Sequence, residues 1–71
     1  MVNSAKLKAK IIETGKNVPL LATAMGISAS TLYRKINNGD TFLIREADVI
    51  INELSLTKDE VNSIFFAQIV A

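Results

Sequence analysis

The chain contains no cysteine and no histidine. The first absence rules out a disulfide framework and any thiolate metal site. The second removes the commonest general base and the commonest nitrogen ligand for zinc. No metal and no cofactor are therefore expected, and a cysteine-free chain is compatible with the cytoplasm. Proline occurs once and glycine three times, so no Gly/Ser/Pro-rich linker divides the sequence. Long apolar runs are missing too. The stretches Val18–Ile27 and Ile64–Ala71 fall well short of the roughly 20 residues that cross a bilayer. Lys6, Lys8 and Lys10 are not followed by an apolar run of signal-peptide length. A soluble protein that stays where it is made, with no membrane partner, is the expectation.

What is present is globular composition, with 49% hydrophobic and 21% charged residues in 71. That length makes a single domain, residues 1–71, in which only about 60% of the unfolded surface is buried. The core must be efficient or shared with a partner. The net charge of +1 hides an asymmetry. Residues 1–38 hold Lys6, Lys8, Lys10, Lys16, Arg34 and Lys35 against Glu13 alone, a net of +5. Residues 39–71 hold Arg45 and Lys58 against Asp40, Glu46, Asp48, Glu53, Asp59 and Glu60, a net of −4. A polyanion is attracted by the first half and repelled by the second, although a solvated basic helix face gives the same count.

Apolar spacing and end signals predict five helices and no strand. The first spans Ser4–Thr14, capped by Ser4 and stopped by Gly15. The second starts from the cap Asn17, takes Pro19 in its first turn and ends at Met25 before Gly26. The third runs from Ser28 to Ile36 and is broken by Asn37-Asn38-Gly39-Asp40. The fourth covers Ile44–Leu54 with Ala47, Ile50, Ile51 and Leu54 on one face. The fifth opens with a capping box of Thr57 and Glu60 and turns Val61, Ile64 and Phe65 to the core.

Val18–Ile36 reads as one unit. Two short helices crossing through a tight turn need a small residue where their backbones approach, a glycine in the turn and apolar anchors. Ala22, Gly26 and the set Leu21, Met25, Ile27, Leu32 and Ile36 meet these demands. A plain helical hairpin would show the same anchors. With Leu32 and Ile36 inward, Ser30, Tyr33, Arg34 and Asn37 form an outward row at i, i+3, i+4, i+7.

The string Leu21-Ala22-Thr23-Ala24-Met25-Gly26-Ile27-Ser28-Ala29-Ser30-Thr31-Leu32-Tyr33-Arg34-Lys35-Ile36-Asn37-Asn38-Gly39 resembles the phage Cro/repressor-type helix-turn-helix family, often called the Xre family. Leu7–Ile11 and Phe42–Phe66 extend the resemblance over nearly the whole chain. It implies an all-α, compact five-helix lambda-repressor-like domain with the helix-turn-helix at helices 2 and 3. The implied function is a transcriptional regulator in a bacterial host cell, often dimeric on a two-fold double-stranded DNA operator. Its recognition helix maps onto Ser28–Ile36, early residues toward base edges. Arg34 is then the best base reader, able to fork onto guanine. Ser28, Ser30 and Thr31 are weaker readers, Ala29 is limited to a thymine methyl, and Tyr33, Lys35 and Asn37 complete the DNA-facing set. Asn17, Val18 and Asn38 occupy the places of phosphate contacts. Two departures stand out. Val18 replaces a Gln that often opens helix 2 in the family. Leu43 replaces the usual Ser or Thr cap of helix 4, leaving Thr41 or Asp40 to cap.

Helix 5 carries more apolar surface than one face buries. Phe66, Ile69 and Val70 form a second stripe, expected to serve a homodimer contact or to dock on a separate repressor protein. In that second case the chain is a protein-interaction module with DNA binding secondary. Enzyme chemistry is not expected. The seven carboxylates fall mostly on charged helix faces where solvation is the ordinary fate, and Gly15, Gly26 and Gly39 are too scattered to cradle a phosphate.

Overall fold

The computed structural model describes the backbone of residues 2–70 and the side chains of residues 2–66. Five helices follow in chain order: α1 Ser4–Glu13, α2 Val18–Met25, α3 Ala29–Asn38, α4 Ile44–Glu53 and α5 Lys58–Val70. No strand occurs among the described residues, and the class is all-α. α2 packs on α3 and α4, while α1 packs on α3 and α5. Leu7, Leu21, Leu32, Ile50, Leu54 and Phe65 meet at the centre with at most 2% exposure, each burial contributing roughly 1.5–3 kcal/mol. Phe42, from the α3–α4 connection, meets Phe65 edge to face at 6.3 Å between ring centres.

Four consecutive helices end in the same way. After α1, α2, α3 and α4 comes a residue at positive φ: Gly15, Gly26, Gly39 and Ser55. The next amide donates back five residues, as Lys16 to Ile11, Ile27 to Ala22, Asp40 to Lys35 and Leu56 to Ile51. This terminator satisfies carbonyls that the helix leaves open. At Gly26, φ is +74° and nothing lies within 4 Å of where a Cβ would stand. The glycine is needed for its backbone conformation rather than for space. Ser55 adopts φ of 51° with a side chain in place.

Three helix boundaries differ from expectation. Asn3, not Ser4, caps α1, its Oδ1 accepting from the Lys6 amide at 3.1 Å. Ser4 lies inside the helix and its hydroxyl donates to the Ile36 carbonyl at the far end of α3. α3 continues through Asn37 and Asn38, since Gly39 is the residue that turns left-handed. At the start of α4 neither Thr41 nor Asp40 takes the cap. Leu43 holds the cap position without a side-chain bond, and Glu46 Oε1 accepts from the Leu43 amide at 2.9 Å. The capping box of Thr57 and Glu60 forms in both directions, at 2.8 and 3.2 Å.

Candidate nucleic-acid interface

α3 is fixed by Leu32 and Ile36, both buried, and by Ser28 at its N-cap. The Ser28 hydroxyl accepts from the Thr31 amide at 3.1 Å and donates to the Thr31 hydroxyl at 2.8 Å. These two expected base readers are thus engaged with each other. Ala29 is half-buried and packs against the core. Ser30, Tyr33, Arg34 and Asn37 are exposed on the opposite side of α3, with Asn38 beside them. The structure brings this row together.

Lys35 leaves the row. Its Nζ lies 2.9 Å from Glu46 Oε1 and 5.3 Å from the centre of the Phe42 ring, with the side chain 19% exposed. It ties α3 to α4, and its ammonium is paired rather than free. Glu46 is 4% exposed, against the expectation of a solvated carboxylate. Burial pushes its carboxyl up, but hydrogen bonds from Lys35 and the Leu43 amide, with the Lys35 and Arg45 charges, outweigh this and hold it below the ordinary value. Glu46 stands three residues after the cap, the acidic position of a capping box. That local signal was available in the sequence.

Asn17 caps α2, accepting from the Leu20 amide at 2.9 Å. Val18 is half-buried against the core, so it presents no polar group at the start of α2. Around this site, half of the first-half cations are spent internally. Lys10 pairs with Glu60 and, at 3.6 Å, with Glu13; Lys16 reaches Glu53 at 3.9 Å; Lys35 holds Glu46. The hydrogen bond between them raises the Lys10 pKa and lowers that of Glu60. Among the described residues Lys6, Lys8 and Arg34 form no ion pair.

Phe66 is 62% exposed on α5. The side chains of Ile69 and Val70, the rest of the expected interface stripe, lie outside the described residues. Among the described residues no helix is long and apolar enough to cross a membrane. Among the described residues no cluster of acidic side chains could hold a metal ion. Comparison with protein-family models, curated proteins and solved structures gives no match.

Proposed function

We propose that the protein is a sequence-reading regulator of transcription, of the phage Cro/repressor type, acting in the bacterial cytoplasm. In this reading α2, the Gly26 turn and α3 are a helix-turn-helix, and the outer side of α3 enters the major groove of an operator. One observation carries it. Ser30, Tyr33, Arg34 and Asn37 stand exposed in a row on α3, directly opposite the buried Leu32 and Ile36. Arg34 supplies the forked guanine contact, Asn37 an amide for adenine, and Tyr33 and Ser30 contacts along the groove or to phosphate. Lys8 on α1 lines a groove with Tyr33 and Asn37 and adds positive charge beside the row, though fewer free cations remain than the +5 of residues 1–38 implies.

Selection from duplexes with a randomised centre tests this directly. The expected result is enrichment of a two-fold site with half-sites about 34 Å apart. Affinity should fall by about 0.9 log units per neutralised phosphate for each log unit of salt. No enrichment and a flat salt response overturn the reading.

A second reading is favoured by Phe66, an aromatic ring left in water on α5. In it, α5 docks on a separate repressor protein and DNA binding is secondary. For a DNA-bound homodimer the same ring is the association surface. Phe66→Glu separates these. A folded monomer with operator affinity lost supports the homodimer, and unchanged sedimentation and affinity support the foreign partner.

A further inference from the structure

Among the described residues, two of the grooves in the surface lie beside α1. In the cleft between α1 and α5, of ≈ 300 Å³, the charges answer one another, since Lys10 pairs with both Glu60 and Glu13. The groove between α1 and α3, of ≈ 530 Å³, is built differently. Lys8 and Lys16 line it and no carboxylate does. Ile12 is 78% exposed there, Val18 continues the apolar floor, and Tyr33 and Asn37 form the α3 wall. An exposed isoleucine leaves apolar area in water, and of the two lysines around it Lys8 has no ion pair among the described residues and Lys16 has only its long one with Glu53.

We propose that this groove is the docking site for an acidic amphipathic helix of a partner protein. Its apolar face covers Ile12 and Val18, and its flanking carboxylates meet Lys8 and Lys16. Helices bind apolar grooves in this manner, with anchors on one face and charges at the rim. The cations are placed for it. Lys8 stands more than a turn before the end of α1, and Lys16 lies in the loop just beyond that end, so they bracket Ile12. The existing pair of Lys16 with Glu53 is long, at 3.9 Å, and both side chains are 36% exposed. Such a pair is worth little and exchanges readily for a partner carboxylate. Tyr33 and Asn37 belong both to the groove wall and to the outer row of α3. An occupied groove therefore excludes a duplex from that row, a consequence that rests on the DNA reading above, whereas the docking does not.

The test uses ¹⁵N-labelled protein and a synthetic helical peptide of about four turns with leucines on one face and glutamates flanking them. A second peptide carries lysine in place of every glutamate. Saturable shifts confined to the groove are expected with the first peptide, with affinity about tenfold weaker for the second. Ile12→Glu should abolish the shifts, and Lys8→Glu should weaken binding of the acidic peptide by up to about tenfold, while the remaining spectrum keeps its dispersion. Equal binding of the two peptides, shifts centred elsewhere, or no saturation overturn the docking. A second arm adds a selected duplex. Displacement of the duplex by the acidic peptide supports exclusion, and simultaneous binding overturns it. If the peptide binds in the groove while no duplex binds at all, docking stands and the DNA reading alone falls.

Discussion

Arg34 and Lys35 are neighbours of the same charge on the same helix, and they belong to different parts of the molecule. Arg34 stands in water on the outer side of α3 with no ion pair among the described residues. Lys35, one residue and about 100° further round the helix, is folded into the seam between α3 and α4 against Glu46 and Phe42. The outer side and the seam thus divide one basic stretch between solvent and cohesion. A count of charges along a sequence does not measure charge at a surface. Of the six cations in residues 1–38, Lys10 and Lys35 tie helices together and Lys16 makes a long, exposed pair with Glu53.

The largest effect separating the two regions is expected at Glu46. Glu46→Ala leaves the Lys35 ammonium unpaired and the Leu43 amide without its acceptor, a loss of about 3 kcal/mol. Thermal unfolding should show it as a drop of roughly 10 °C or more. Glu46→Gln keeps an oxygen for both donors and should cost less than the alanine variant. The seam also carries a pH dependence. The Glu46 carboxyl is held below its ordinary value in the fold, so its contribution is complete at neutral pH. It is lost as the pH falls from about 4.3 through the lower folded-state value. Denaturant midpoints measured through the acid range in wild type and Glu46→Gln check this, the gap between them closing as the pH falls.

Arg34→Ala should do the converse. Stability stays within about 0.5 kcal/mol of wild type, while binding to a selected operator weakens by about 1–3 kcal/mol and preference relaxes at one base position. Lys35→Ala should lower the melting temperature. Anisotropy and melting on both variants measure the contrast. If Arg34→Ala loses equally on operator and random duplex, the outer side holds a phosphate contact only.

Smaller effects come from the turns. Gly26→Ala meets no neighbour within 4 Å, so its cost is the left-handed backbone alone, about 1 kcal/mol, read by denaturant unfolding. Ser55→Gly relieves the same conformation at the α4–α5 turn and should stabilise by about 0.5 kcal/mol. Ser55 follows the C-terminal end of α4, whereas Glu46 stands in its first turn, and duplex affinity should stay unchanged.

Features that depend on three or four consecutive residues were legible in the sequence. Asn17 and Pro19 at the start of α2, Gly26 after it, and the reciprocal Thr57–Glu60 cap all involve groups within one turn. The inward pair Leu32 and Ile36 was legible for the same reason, since helical period alone places it. The seam was not, because Lys35 and Glu46 meet across 11 residues only once α3 and α4 have docked. The swap of Asn3 for Ser4 has a similar origin. Both residues are good caps, and the choice between them is settled by the Ile36 carbonyl, 32 residues away, which takes the serine hydroxyl. For the candidate site, the exposed row was readable, whereas the engagement of Ser28 with Thr31 and the removal of Lys35 needed side-chain geometry.

Three ion pairs join a lysine of residues 1–38 to a glutamate of residues 39–71: Lys10 to Glu60, Lys16 to Glu53 and Lys35 to Glu46. The division of charge they use does not depend on the fold. In the unfolded chain the two halves still carry opposite net charge and attract one another, compacting the denatured ensemble at low ionic strength. At physiological salt the screening length is about 8 Å and that attraction is largely gone. Salt therefore acts on this protein before any helix has formed. Dilute buffer brings the two ends of the chain together early, and refolding should slow as screening separates them.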